Sequence, residues 1–350
     1  MENIYLKAGW IFAISLILAF ILTPASIWLA KRAKILDYPG KTGHTIHKTV
    51  IPRAGGIALV SSMAILSLLI RFNESPQIIT IFLAGLIIFA FGIWDDRFGM
   101  NAQLKLLGQI CAVTVLVING IRVQFFENPQ FFISFSPILA LWIDIIITYF
   151  WIIAITNAFN LIDSMDGLAL GLVMIITVFF IFSAITANQT PLLFFSTALF
   201  GVNLGIFFFN HSPAKTFLGD SGAQTLGFLL SAVAIIYTPR AMSQSSTWFI
   251  PIIVFGVPIF DTTLVSISRS LKGIPIYMAN LDHTYHRLIS LGWKKNQAVN
   301  IIHFAEVLSC LLAALCVNIK PLGANLFFGL WLAVFIALLI FFERKSKNSQ

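Results

Sequence analysis

Eleven long apolar runs occupy most of this chain, and the ionisable residues collect in the gaps between them. Each run is near the ~20 apolar residues that a helix needs to cross a hydrocarbon core, with the second and fourth runs at the short end. The runs are residues 10–30, 56–70, 78–94, 106–121, 138–155, 168–187, 192–209, 222–237, 248–267, 298–317 and 322–342. Because lipid offers no partners to backbone N–H and C=O groups, and no alternating ten-residue strands occur, only helices can span.

The composition excludes an ordinary soluble domain, since 58% of the residues are hydrophobic and only 10% are charged, against roughly 25% charged in typical soluble domains. We find no boundary or linker that would divide the chain. The sequence therefore predicts an all-α integral membrane protein, with about 11 transmembrane helices in a single polytopic domain, residues 1–350.

Lysine and arginine are unequally shared between the two sets of alternate gaps. With the N-terminus outside, 17 of the 22 Lys and Arg residues face the cytoplasm and 5 face outward. Short basic loops are retained in the cytoplasm, which predicts an outer N-terminus and a cytoplasmic C-terminus. The net charge of +8 follows from this topology and suits contact with membrane lipid; it does not require a nucleic-acid partner.

Adjacent carboxylates follow the third run. Asp95 and Asp96 come directly after Trp94, and Lys105 lies further along the same gap. Two carboxylates repel each other unless positive charge lies nearby. Mg²⁺ prefers carboxylate oxygens and shares its remaining positions with water and substrate phosphates. The pair predicts a divalent-cation site, and a solvated loop cap is the alternative.

The next gap on the same side carries amides and carboxylates at spacings of three, at Asn157, Asn160, Asp163 and Asp166. Residues three apart on a helical turn share a face, so these side chains could line one wall. Amide and carboxylate groups would suit a uracil edge and ribose hydroxyls. The alternative is helix capping around Asp163 and Asp166, with Gly167 as the chain break.

Two later gaps add glycines and cations. Asp220 lies within a Gly-Asp-Ser-Gly segment, residues 219–222, where a helix start could approach an anion closely; it is either a cap or a metal ligand. His283, His286 and Arg287 form a compact group of donors suited to pyrophosphate oxygens. A zinc site there would lack a third ligand.

The first gap contributes Lys48 and the segment Pro-Arg-Ala-Gly-Gly at residues 52–56. All these gaps fall on one predicted membrane face, the cytoplasmic one, and together they indicate an active site for metal-assisted phosphoryl chemistry.

Five segments, in chain order, resemble the motifs of the polyprenyl-phosphate N-acetylhexosamine-1-phosphate transferases. They are residues 95–96, 157–167, 219–222, 258–261 and 283–288. The resemblance covers almost the whole chain. That family includes the bacterial enzymes that start O-antigen and teichoic-acid synthesis, and the phospho-MurNAc-pentapeptide transferase of peptidoglycan synthesis.

The resemblance implies transfer of a sugar 1-phosphate from a UDP-N-acetylhexosamine to undecaprenyl phosphate, with release of UMP. This would be the first membrane step of a cell-envelope polysaccharide such as O-antigen, in the bacterial inner (plasma) membrane. The family's chemistry requires Mg²⁺, for which Mn²⁺ could substitute, and a homodimer is expected.

The same resemblance implies a set of site residues. Asp96 and Asp220 would be metal ligands and Asp95 the catalytic carboxylate. The substrate-binding set would be Lys48, Asn157, Asn160, Asp163, Asp166 and Asn210, with Phe217 stacked on uracil. The phosphates would be held by Asn210 together with Lys105, His283, His286 and Arg287, and these last four belong to the catalytic set.

Four positions depart from the family's usual motifs. Ser164 stands where the family generally has Gly, Ala223 replaces a Ser, Tyr285 replaces the middle His of a His-x-His-His element, and Asn280 lies where many members carry Asp. The sugar therefore stays open between GlcNAc, GalNAc and the 6-deoxy sugars FucNAc and QuiNAc.

Two other classes of function compete with the enzyme. A transporter or flippase for lipid-linked sugars would also be polytopic and basic inside, but its site should lie near the midplane and reach both faces. The outer gaps, such as residues 186–191, contain almost nothing to bind a charged headgroup. A non-catalytic membrane scaffold would not explain the presence of Asp95, Asp96 and Asp220.

Two questions stay open. A phosphate monoester is largely dianionic at neutral pH, because its second pKa is near ~6, so we predict a direct displacement with Asp95 orienting the acceptor or a metal-bound water. A covalent aspartyl-phosphate intermediate is the alternative. Three acids also lie inside runs: we expect a role beneath the site for Asp261, and structural roles for Glu306 and Asp144.

Overall fold

A computed structural model describes residues 2–39, 49–70, 75–127, 135–237, 248–275 and 282–347 of the chain. The first seven helices are α1 (Glu2–Arg32), α2 (Gly55–Leu69), α3 (Pro76–Phe98), α4 (Ala102–Ile118), α5 (Pro137–Ile162), α6 (Leu168–Ala187) and α7 (Thr190–Asn210). The others are α8 (Gly219–Ile236), α9 (Ile250–Val254), α10 (Gly256–Leu271), α11 (Thr284–Ser290), α12 (Lys295–Asn318) and α13 (Pro321–Lys347). Two short strands, β1 (Leu36–Asp37) and β2 (Ile51–Pro52), pair antiparallel.

The predicted all-α membrane class is confirmed, but the helices are not eleven equal spans. Within the described ranges, eight are long and apolar enough to cross a membrane: α1, α3, α5, α6, α7, α8, α12 and α13. The second and fourth runs form the shorter apolar helices α2 and α4. The ninth run, expected as one helix, is divided into α9 and α10. The count of eleven spans and their orientation stay predictions.

The ninth run breaks at Phe255, which ends α9 and precedes α10. Pro258 contributes to the break, because it has no N–H to donate to the carbonyl of Val254. The backbone N–H of Val257 instead donates to Oε2 of Glu306 on α12, at 3.0 Å. Glu306 is fully buried, so this carboxyl supplies a partner to a backbone group that has none within its own helix.

The gaps that carry the polar residues meet at one end of the helix bundle. The chain after α7 contacts the chain after α5, where the N–H of Ala214 donates to Oδ2 of Asp166 at 3.2 Å. It also contacts β2, because the N–H of Phe217 donates to the carbonyl of Pro52 at 3.0 Å. The alternate gaps therefore share one face of the protein, as their order along the chain predicted.

Asp144 binds the backbone of a connection at the opposite end of the helix bundle. Its carboxylate is fully buried and accepts hydrogen bonds at 3.1 to 3.2 Å from the backbone N–H groups of Phe125, Phe126 and Glu127, in the connection between α4 and α5. A non-helical connection near lipid needs partners for its N–H groups, and Asp144 provides them.

The first turn of α8 lies between α2 and α3, where two glycines allow backbones to touch. A Cβ on Gly92 of α3 would lie 2.7 Å from the nitrogen of Ser221, and closer still to its Cα. A Cβ on Gly56 of α2 would lie 2.6 Å from the nitrogen of Gly222. Neither position has room for a side chain, so α2 and α3 hold the start of α8 at close range.

Candidate active site

Asp96, near the end of α3, caps the N-terminus of α8. Its carboxylate accepts hydrogen bonds from the backbone N–H groups of Asp220 (2.9 Å) and Ser221 (3.0 Å), and from the Ser221 hydroxyl (2.6 Å). Gly219 has a φ of 72°, and a Cβ there would lie 2.8 Å from Oδ1 of Asp96. An acid on a neighbouring helix thus replaces the usual N-cap residue, which ties α3 to α8.

Lys105, on α4, joins two further carboxylates. Its Nζ lies 2.5 Å from Oδ2 of Asp95 and 2.6 Å from Oδ2 of Asp220. The carboxyl groups of Asp95 and Asp220 also hydrogen-bond to each other. The amide nitrogen of Asn160 reaches Oδ2 of Asp220 at 3.4 Å. The structure therefore brings these four predicted residues together, and Asp96 lies beside them through the backbone of Asp220.

Asp163, which follows α5, faces the same group. Burial, and then the nearby carboxylates of Asp220 and Asp96, raise the pKa of Asp163 to about 8. The cation of Arg53 partly opposes this rise. Burial and nearby negative charge both make an acid harder to ionise. We call Asp95, Asp96, Asp163 and Asp220 the acidic cluster.

Arg53, immediately before α2, is a cation of this site that the sequence analysis did not assign. Its NH2 atom lies 2.7 Å from Oδ1 of Asp37, and its NH1 atom lies 3.4 Å from Oδ1 of Asp96. Residue 53 also pairs with Phe217 in an isolated β-bridge. In the sequence, Arg53 is a basic residue before a Gly-Gly helix start. Its partners Asp37 and Asp96 are 16 and 43 positions away along the chain, so the local pattern did not indicate them.

A network of buried amides lies next to Asp220 and was also missed. Nε2 of Gln109 donates to Asn157 (3.2 Å) and Gln224 (3.0 Å), and Nε2 of Gln224 reaches Oδ2 of Asp220 at 3.3 Å. Asn157 returns a hydrogen bond to Gln109 and donates to the carbonyl of Ile153. The sequence feature that could have indicated this network is the presence of polar residues, such as Gln109 and Gln224, within apolar runs. Contact of Asn157 with substrate stays a prediction.

Comparison with known proteins places this arrangement in a family. The sequence model of Glycosyl transferase family 4 matches residues 78–238, which include the whole acidic cluster. A protein of Bacillus subtilis (strain 168), named probable undecaprenyl-phosphate N-acetylglucosaminyl 1-phosphate transferase, is 30% identical over 328 residues, covering 94% of this chain and 90% of that protein. The chain belongs to glycosyl transferase family 4. The resemblance inferred from its motifs is thereby confirmed.

Two further members of the family are similar over most of their length. The decaprenyl-phosphate N-acetylglucosaminephosphotransferase of Mycolicibacterium smegmatis is 30% identical, over 79% of this chain and 73% of that protein. The phospho-N-acetylmuramoyl-pentapeptide-transferase of Staphylococcus saprophyticus is 31% identical, over 82% of this chain and 92% of that protein. The similarity therefore extends to proteins whose names give different sugars.

Other predicted residues of this glycosyl transferase connect the loops of the site. Asn210 is buried; its Oδ1 accepts from the N–H of Gly167 (3.1 Å), and its Nδ2 donates to the carbonyl of Thr216 (2.9 Å). Phe217 is partly exposed beside β2. These contacts leave the predicted phosphate role of Asn210 and the stacking role of Phe217 as predictions. Lys48 lies outside the described residues.

The three predicted phosphate-binding residues near α11 differ in their surroundings. Nδ1 of His283 lies 2.8 Å from Oδ2 of Asp261. The ring of His286 lies 3.9 Å from that of Tyr285, centroid to centroid. The third, an arginine, is directed at the end of α13 and is described next.

Arg287 is buried and its guanidinium contacts three groups. Nε donates to the carbonyl of Asp282 (3.0 Å), NH1 donates to the carbonyl of Phe342 (2.8 Å), and NH2 lies 2.9 Å from Oε2 of Glu343. These contacts anchor the end of α13 to α11. The role of Arg287 in binding phosphate stays a prediction.

The acidic cluster fits a magnesium ion. Within the described part of the chain, no three His, Cys, Asp or Glu side chains are placed to hold a metal by themselves. Mg²⁺, however, is commonly bound by one or two carboxylates, with water and substrate phosphates in its other positions. The meeting carboxyls of Asp95 and Asp220 provide such a pair. After burial, the carboxylates of Asp220 and Asp96 contribute to the raised pKa of Asp163, and the cation of Arg53 opposes them only in part.

Proposed function

We propose that this protein transfers an N-acetylhexosamine 1-phosphate from a UDP-sugar to undecaprenyl phosphate, forming a lipid-linked diphosphate sugar and UMP. One observation carries the proposal: carboxylates from α3 and α8 meet on Lys105 of α4, at one end of a helical membrane bundle. The names of the three relatives support a polyprenyl phosphate acceptor for two of them and an amino-sugar donor group for all. The product would begin a cell-envelope polysaccharide such as O-antigen.

The proposed location is the bacterial inner membrane, with the N-terminus outside and the site at the cytoplasmic face. The excess of Lys and Arg in the gaps of that face supports this orientation. A nucleotide sugar would then reach the acidic cluster from the cytoplasm. A lipid phosphate would reach it from the inner leaflet, since the cluster lies at the ends of membrane helices.

The chain's own residues would act mainly by positioning and by balancing charge. The acceptor phosphate is already largely dianionic at neutral pH, because its second pKa is near ~6, so it needs little help from a base. Its attack brings two anionic groups together, and Lys105 is placed to reduce that repulsion. Asp95 would orient the acceptor or a bound water.

We further propose that Mg²⁺ is held by Asp220 with a carboxylate from the adjacent pair at the end of α3. Asp95 faces Asp220 directly, whereas Asp96, the ligand expected from the family's motifs, accepts three hydrogen bonds from the start of α8. A bound Mg²⁺ would neutralise phosphate charge and that of the leaving UMP. Asn160, Asp163 and the other predicted nucleotide contacts would bind the uridine; the sugar stays open.

The test is release of UMP from UDP-GlcNAc, UDP-GalNAc, UDP-FucNAc and UDP-QuiNAc, with a short polyprenyl phosphate and Mg²⁺, by purified protein in detergent. We expect release with one of these donors. We expect Asp220→Asn to lower the rate at least about 100-fold, the scale on which lost electrostatic stabilisation acts.

Glu127→Gln is the matched acid-to-amide control, since Glu127 is exposed at the opposite end and pairs with Arg122. It should keep the wild-type rate. No UMP release from any of the four donors would overturn the proposed function.

A further inference from the structure

Asp261 of α10 holds His283 and the start of α11 at the same time. Its Oδ2 lies 2.8 Å from Nδ1 of His283, and its Oδ1 accepts the backbone N–H of Thr284 at 2.7 Å. Asp261 and His283 are 2% and 7% exposed, so water does not compete for these contacts. An ionised carboxylate can only accept hydrogen bonds, so the imidazole must carry its proton on Nδ1.

The opposite side of the same short segment is tied to the acidic cluster. The hydroxyl of Tyr285 hydrogen-bonds with the side chain of Ser164, and Tyr285 itself is 2% exposed. Ser164 directly follows Asp163, whose carboxyl interacts with those of Asp220 and Asp96. Two positions that depart from the family's usual motifs, Ser164 and Tyr285, are therefore in contact with each other.

These contacts place the start of α11 between two anchors, Asp261 beneath it and the loop of the acidic cluster beside it. The three rings of the segment form a triangle: the ring centroid of Tyr285 lies 6.4 Å from that of His283 and 3.9 Å from that of His286, and the two histidine rings are 6.2 Å apart. With Nδ1 bound to Asp261, only Nε2 of His283 is left to contact a ligand.

We propose that Asp261 is a positioning residue for the transfer reaction, which orients His283 so that Nε2 is presented as a hydrogen-bond acceptor to a hydroxyl group of the nucleotide sugar. This inference rests on the proposed function. With its proton on Nδ1, the imidazole presents the lone pair of Nε2, which accepts a hydrogen bond from the substrate. Asp261 makes its contacts with His283 and with the N–H of Thr284, so it acts on the substrate through His283 and not directly.

The variant Asp261→Asn separates positioning from packing because the two side chains have the same shape. Its Oδ1 can still accept the N–H of Thr284, but its NH₂ group must then face Nδ1 of His283 as a donor. The imidazole proton is forced to Nε2, which then becomes a donor and can no longer accept a hydrogen bond from the substrate.

The experiment is a double-variant cycle with Asp261→Asn, His283→Gln and both together, measured by UMP release with the donor that the wild type uses. We expect Asp261→Asn to lower kcat/KM about 10- to 100-fold, as loss of an orienting partner typically does. In the His283→Gln background the same change should cost less than about threefold. Thr263→Val is the control on α10, since the Thr263 hydroxyl donates to the carbonyl of Ile259 in its own helix.

The inference would be overturned if the losses of kcat/KM caused by Asp261→Asn and His283→Gln multiply in the double variant. It would also be overturned if Asp261→Asn keeps the wild-type kcat/KM. If Asp261→Asn does not purify as a monodisperse protein, Asp261→Glu replaces it in the cycle with the same expectation and the same refuting result. Failure of the proposed function is distinct, because the wild type itself would then release no UMP.

Discussion

Replacement of Gly92 by alanine should disable the enzyme without removing any functional group. A Cβ at this position would lie 2.7 Å from the nitrogen of Ser221, whereas non-bonded heavy atoms are most stable about 3.5–4.0 Å apart. The first turn of α8 must therefore move by roughly 1 Å. The neighbouring atoms are backbone on both sides, so no side chain can rotate away to absorb the change.

That displacement acts directly on the acidic cluster. Ser221 donates twice to Asp96, at 3.0 and 2.6 Å, and a shift of about 1 Å would carry both bonds beyond useful length. Hydrogen bonds to charged groups contribute about 1.5–3 kcal/mol each, so the loss is roughly 3–6 kcal/mol if both break. Misplacement by about 1 Å in an active site costs about 100-fold in rate.

Gly85→Ala is the matched control, because Gly85 lies two turns earlier on the same face of α3. Its Cβ would lie 3.0 Å from the end of the Leu229 side chain, which can rotate, and Gly85 lines a small apolar crevice between α2, α3 and α8. We expect less than about 1 kcal/mol of destabilisation.

The assay combines UMP release with thermal unfolding in detergent. Gly92→Ala should lower kcat about 100-fold in protein that still elutes as a single species, while Gly85→Ala stays within about threefold of wild type. Equal behaviour of the two variants, or a fully active Gly92→Ala, would refute the reasoning that close backbone contact sets the geometry of the cluster.

Three further outcomes are expected. Because burial and nearby acids raise the pKa of Asp163 to about 8, metal-free wild type should lose up to about 1.4 kcal/mol of stability per pH unit as pH rises from 5 to 8. Asp163→Asn should lose less stability over the same range, and parallel unfolding temperatures in EDTA for the two proteins would contradict this. Lys105→Met should lower kcat by at least about 100-fold, by removing the cation between Asp95 and Asp220, with UMP release as the measure and a near-normal rate as the contrary result. Labelled UMP should not enter UDP-sugar without lipid acceptor; exchange would show a covalent intermediate in place of direct displacement.

The membrane class and the shared face of the polar gaps could be predicted because both follow from local composition. Lipid excludes every spanning structure except helices for such runs, and alternate gaps must return to the same side. The break at Phe255 was not predicted. The ninth run was defined by its apolar residues alone, and that criterion does not register that Pro258 has no backbone N–H.

The site could be predicted only in part. Acidic and amide residues clustered in the gaps gave most of its members, including Asp95, Asp220 and Asn160. The partners of each side chain could not be read from the sequence, because they come from other helices. In the sequence, Gln109 is an isolated polar residue in an apolar run. Arg53 is one of several basic residues in its gap, with nothing to distinguish it from the others. The adjacent acids at the end of α3 have different surroundings, which depend on the docking of α8.

The cap that Asp96 places on α8 bears on how the protein matures. During synthesis α3 emerges well before α8, and until Ser221 arrives that carboxylate has none of its three donors. The geometry of the acidic cluster thus forms only when α8 docks against α3, and an intermediate without α8 lacks it. With the proposed function, a chain inserted only as far as α7 would release no UMP, so activity would report that α8 has docked.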